Sequence, residues 1–171
     1  MPTHIRDTDP KVVVIGVGNS YRSDDGAGVF VGKELQNLGL PEASVVTEER
    51  DGLKIMDHWS AGDHVVIIDA VASGAEEGTV LRVDLMQLPQ PASAIQSTHS
   101  FDITGAVSLA RVVGKVPATV ILYGIEGKNF AMGTSLSPKV FDAARRTLEM
   151  VLVEINALSG SLREDRLEEL A

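Results

Sequence analysis

KVVVIGVGNSYRSDDGAG, running from Lys11 to Gly28, decides how the rest of the chain is read. Val12, Val13, Val14 and Ile15 form an uninterrupted β-branched run without alternation, the pattern of a strand covered on both faces. Gly16 and Gly18 break the run and allow a tight turn. Beyond Asp24 and Asp25, the residues Ala27, Phe30, Val31, Leu35 and Leu38 recur at three- and four-residue steps, which is helical spacing. The order is strand, glycine-rich loop, helix. In an open α/β fold the first such loop lies over the carboxyl edge of the sheet, where ligands usually bind.

A dinucleotide site is the first reading to test. The pattern G-x-G-x-x-G begins with Gly16 and Gly18, but Tyr21 stands at its third glycine. A pyrophosphate needs bare amides at a helix N-terminus, and Asp24 and Asp25 would repel it there. A nucleotide-dependent oxidoreductase is therefore disfavoured. Helix capping by Ser23, Asp24 or Asp25 would account for one of the two aspartates. The second is left at the sheet edge with no structural task.

Outward from this segment the chain keeps alternating. Residues 43–47, 65–68, 79–85 and 118–123 read as strands. Helical spacing recurs over Leu53–Trp59, from Ile103 to Val113, and from Pro138 to Ile155 behind Ser137, a capping residue followed by proline. The strand TVLRVDL follows so short a connection that it is expected to form an antiparallel edge. The alternation predicts one α/β domain over residues 1–171, a three-layer α/β/α sandwich. Residues 1–10 and the charged end at 161–171, including LREDRLEELA, are expected to be flexible and solvated.

Composition narrows the function. The chain has 171 residues, 44% of them hydrophobic, enough for one sizeable core. It contains no cysteine, which removes disulfides, thiolate metal sites and cysteine nucleophiles. A net charge of -9 disfavours nucleic acid, because that affinity comes mostly from Lys and Arg on phosphates. No apolar run has membrane-spanning length and MPTHIRDTDP lacks a signal-peptide core, so a soluble cytoplasmic protein with no membrane association is expected.

Three polar residues fall where the carboxyl edge of the sheet should be. Asp25 follows the first strand, Asp69 ends VVIID, and His99 precedes the helix that begins near Ile103. Two carboxylates and an imidazole suit a borderline divalent ion such as zinc or nickel. Each has a plainer reading: Asp69 as an acceptor for loop amides, His99 as one more polar residue at a helix start beside Thr98, Ser100 and Asp102. His4, His58 and His64 lie in unpromising places, and Glu126 reads either as an edge residue or as a solvated loop residue. Neither G-x-S-x-G nor H-E-x-x-H occurs, which weakens an ordinary serine hydrolase or zinc protease.

Taken together, GVGNSYRSDDGAG (16–28), VVIIDAV (65–71), GTVLRVD (78–84), STHSFDITGAVSLA (97–110) and VILYGIEG (120–127) resemble the nickel–iron hydrogenase maturation protease family from about Lys11 to the final helix. Many members have D-G-G-T after the second strand, where this chain has Arg50-Asp51-Gly52-Leu53. The resemblance implies a mostly parallel five-stranded sheet. It also implies an endopeptidase that removes the C-terminal extension of a nickel-loaded hydrogenase large-subunit precursor. The family's metal-contacting positions map onto Asp25, Asp69 and His99, and some members carry Glu in place of Asp25. The implied cofactor is nickel carried by the substrate, with no permanently bound metal, and the implied partner is that precursor. A small-molecule metallohydrolase and a non-catalytic nickel- or precursor-binding module are the competing readings.

Overall fold

The computed structural model describes residues 9–49, 52–88 and 103–169. Among them, five strands form one sheet: β1 (Val12–Val17), β2 (Ala43–Glu48), β3 (His64–Val71), β4 (Val80–Asp84) and β5 (Thr119–Glu126), in the order β2-β1-β3-β5-β4. β1 pairs in parallel with β2 and β3, and β3 in parallel with β5. β4 lies antiparallel to β5 at the edge, as its short connection from β3 requires. The helices are α1 (Ala27–Leu38), α2 (Ile103–Val112) and α3 (Pro138–Glu169), with two short 3₁₀ helices, η1 (Ser23–Gly26) and η2 (Gly52–His58).

The valine- and isoleucine-rich strands split by parity between two cores. Val12, Val14, Val66, Ile68, Ile121 and Tyr123 pack with α1 and α3 on one face. Val13, Ile15, Val65, Ile67, Val120 and Leu122 pack with η2 and α2 on the other. Both faces are covered, which is why β1 and β3 carry continuous apolar runs instead of alternating ones. The connection from β1 to β2 crosses one face through α1, and that from β2 to β3 crosses the other through η2. The carboxyl ends of β1 and β3 therefore meet at the switch point where α/β sheets open a crevice.

Gly28 makes that junction tight. A Cβ on this first-turn residue of α1 would collide with the carbonyl oxygens of Ile68 and Val17. Only glycine lets the helix start rest directly on the two strand ends. α1 ends at Gly39, whose φ of 62° supplies the left-handed C-terminal residue and whose amide donates to the Gln36 carbonyl at 3.1 Å.

Three details differ from the sequence reading. The short helix expected over Leu53–Trp59 is present one residue earlier, as the 3₁₀ helix η2 over 52–58. No side-chain cap is seen at η1 or α1, so neither Asp24 nor Asp25 serves as one there. The charged end is helical: α3 continues to Glu169, its last turns mostly exposed. Leu158 and Leu162 extend the stripe of Ile155 onto the core, and this packed segment propagates the helix through the charged turns beyond. Of the residues 1–10 expected to be frayed, 1–8 lie outside the described residues, as do 170 and 171.

The antiparallel edge is fastened to α3 by a charged triad. Arg82 donates to Glu154 twice, Nε to Oε2 at 2.7 Å and Nη2 to Oε1 at 3.0 Å, and the buried Tyr123 hydroxyl donates to Oε2 at 2.8 Å. Burial and the Glu154 carboxylate push the Tyr123 phenol up to about 12. The stability from keeping it protonated is complete below pH 10 and is lost as pH rises through about 12. Glu154→Ala should lower the unfolding free energy by about 1–3 kcal/mol in urea denaturation, because the buried hydroxyl loses its acceptor. An unchanged midpoint would contradict this role.

Candidate active site

Asp69 is the sixth residue of β3 and shares parity with Val65 and Ile67, so it stands on the face that α2 covers. Asp25 lies in η1, which packs against β3. Gly16 pairs with Ile68, so β1 gives way to the loop bearing Asp25 one residue from the level of Asp69. Both aspartates are fully buried at 0% exposure. The structure thus brings two of the three predicted residues to one edge of the sheet. His99 lies outside the described residues, four positions before the first residue of α2.

Asp24 does something different, and sequence reasoning missed it. Its Oδ2 accepts the Lys128 amide at 2.9 Å, the Asn129 amide at 2.8 Å and the Ser137 hydroxyl at 2.9 Å, while Oδ1 accepts the Ser137 amide at 2.6 Å. Its own amide donates to the Asn129 carbonyl at 2.9 Å. One buried carboxylate therefore ties η1 to both ends of the connection 127–137 and to the start of α3. Ser137, read as a helix cap, gives its hydroxyl to Asp24. Adjacent Asp-Asp carries no signal for a partner more than a hundred residues away. The glycines and serines of 127–137 only announce a loop.

Ser23 adds to the same fastening. Its φ of 52° is left-handed, and it is held by its amide to the Gly133 carbonyl at 2.8 Å and its hydroxyl to the Ala131 carbonyl at 3.1 Å. Burial alone would raise the Asp24 carboxyl. The amides of Asn129, Ser137 and Lys128 and the Ser137 hydroxyl outweigh it and hold Asp24 below the ordinary aspartate range.

The other candidates fall into structural roles. Glu126 is buried, not solvated: its carboxylate accepts the Ser73 amide at 3.1 Å, the Ser73 hydroxyl at 2.7 Å and the Gly74 amide at 3.0 Å, fixing the turn after β3. His64 sits at the amino end of β3, with Nδ1 2.9 Å from the Thr119 hydroxyl, and burial lowers its pKa. His58 lies 3.3 Å from Glu48. His4, Arg50 and Asp51 are outside the described residues. Among the described residues, no three His, Asp or Glu side chains form a metal-holding group.

The family model HycI, described as hydrogenase maturation protease, matches residues 30–154. The chain belongs to the hydrogenase maturation protease family. It is 28% identical over 149 residues to the hydrogenase expression/formation protein HupD of Thiocapsa roseopersicina, spanning 85% of this chain and 67% of that one. It is 25% identical over 148 residues to the hydrogenase 2 maturation protease of Escherichia coli, covering 85% and 90% of the two chains. The fold matches the E. coli hydrogenase maturating endopeptidase HybD with a TM-score of 0.72 at 22% identity, covering 86% of this chain and 93% of that one. The sequence resemblance is thereby confirmed at the level of the family, and the chain is a peptidase of hydrogenase maturation. The mostly parallel five-stranded sheet is likewise the family's.

For this maturation protease, Asp24→Asn turns an amide group toward four converging donors. The expected result is a loss of about 1–3 kcal/mol in unfolding free energy. The wild type should lose the corresponding stability only in acid. The contribution of Asp24 is present above the ordinary aspartate value of about 4 and disappears as pH falls through its lower native value. A D24N variant as stable as the wild type at pH 7 would contradict the fastening.

Proposed function

We propose that this chain cleaves the C-terminal extension from a nickel-loaded precursor of a nickel–iron hydrogenase large subunit, and that Asp25, Asp69 and His99 meet the nickel the precursor carries. The observation that carries the reading is the placement of two fully buried carboxylates, Asp25 and Asp69, toward the carboxyl ends of the paired strands β1 and β3. Carboxylate and imidazole donors suit a borderline divalent ion, and that ion arrives as part of the substrate. The E. coli relative is named as a hydrogenase 2 maturation protease, which supports a hydrogenase precursor as the partner here.

In the reaction a water oxygen adds to the scissile carbonyl, the C–N bond breaks, and the departing amine takes a proton. The aspartates position the metal-bearing segment, and one of them accepts the proton of the attacking water. Hydrolysis then needs no side-chain nucleophile and no metal resident in the free enzyme. The chain's charge of -9 fits a protein partner better than nucleic acid, and the cytoplasm is the proposed compartment. Among the described residues, no helix is long and apolar enough to cross a membrane.

His99→Ala and Asp25→Asn should each slow precursor processing by at least about a hundredfold, with melting temperatures near that of the wild type. The measurement is a gel or mass time course on purified precursor. Wild-type rates in either variant would overturn the assignment of that residue.

A further inference from the structure

Two large apolar side chains stand exposed beside this site, each on a segment that is held rigid. Tyr21 is 58% exposed and Met132 is 80% exposed. They lie on neighbouring hydrogen-bonded segments: Gly133 donates its amide to the Tyr21 carbonyl at 2.9 Å, and Ser23 donates to the Gly133 carbonyl at 2.8 Å. Arg22 and Gly133 pair as an isolated parallel bridge, and Arg22 Nε donates to the Phe130 carbonyl at 3.3 Å. The Tyr21 amide is also fixed, by the Asn19 carboxamide at 2.9 Å.

Neither residue is needed by the cores, where neither appears. The irregular connection 127–137 is ordered at a considerable cost in chain entropy, offset by the bonds to Ser23 and Asp24. That ordering places Met132 and Tyr21 on the very loops that carry and fasten Asp25. Apolar groups presented without ordering cost at the rim of a site give affinity to a partner that covers them.

We propose that Tyr21 and Met132 form an apolar shelf that binds the precursor's C-terminal segment in extended form. Recognition is by apolar side chains of the substrate peptide flanking the metal-bearing segment. The inference rests on the proposed processing activity and adds a specificity element to it. The occupant is a polypeptide because the family acts as proteases, and the shelf is continuous with the loop holding Asp25.

The test is steady-state processing of nickel-loaded precursor by the wild type, Tyr21→Ser, Met132→Ser and the double variant, with thermal melting of each. The shelf predicts a KM raised about tenfold or more in the double variant, a kcat within about twofold, and unchanged melting. Tyr21→Phe should restore the wild-type KM, since the ring and not the hydroxyl is used. Wild-type cleavage with an unchanged KM in the double variant overturns the shelf and leaves the activity standing. A fall in kcat together with a lowered melting temperature also overturns it, in favour of a structural role for these residues. If the wild type cleaves nothing, the processing activity fails and the shelf fails with it.

Discussion

The closeness of α1 to the sheet is the constraint on which the rest depends. At Gly28 the helix has no side chain, and its first turn rests on the carbonyls of Val17 and Ile68. At Gly18, with φ of 152°, the turn out of β1 passes so near the Asp25 carbonyl that a Cβ would strike it. These contacts carry η1 over the ends of β1 and β3 instead of away from them. A larger residue at position 28 would lift the helix start, and Asp25 would leave the level of Asp69. Gly18, part of the run that begins like a phosphate-binding fingerprint, and Gly28 thus bring a carboxylate-bearing helix over the strand ends.

The two adjacent aspartates divide the work. A buried carboxylate is costly unless donors meet it. Asp24 collects four donors from residues 128–137 and becomes the point at which three parts of the chain are joined. Glu126 uses the same device on the turn after β3, and Asp63 uses it at the opposite edge, where it accepts the Lys11 and Ser60 amides. These acids are spent on backbone groups. Asp25 lies on a short helix that packs against β3, the strand that carries Asp69, and Asp24 fastens that helix to residues 128–137. For the proposed site such support would matter, because small displacements of catalytic groups cost large factors in rate.

Much of this was legible in local sequence. Unbroken β-branched runs announced β1 and β3, and the short turn before Val80 announced an antiparallel edge, because these features depend on nearest neighbours in the chain. Asp69 reads as the end of its strand, but β3 runs on to Val71, so it lies within the carboxyl half of the strand and not at its end. What was not legible depended on distant partners. Asp24 looked like a helix cap, yet its donors come from residues 128–137. Glu126 looked ambiguous because its amide donors lie at 73 and 74. Leu53, Ile55, Met56 and Trp59 suggested a short helix, and one is there, but apolar spacing over so few residues does not say that it is the 3₁₀ helix crossing between β2 and β3. The charged end at 161–171 looked like a tail because most of its residues are charged, although Leu158 and Leu162 still pack against the core and carry the helix past Ile155.

The central claim is that the precursor's own nickel docks against Asp25, Asp69 and His99. Intact-mass analysis of a large-subunit precursor from the same genome, incubated with this protein before and after nickel loading, tests it most directly. The account predicts loss of a short C-terminal peptide from the nickel-loaded form alone. Equal cleavage of the nickel-free precursor would contradict it.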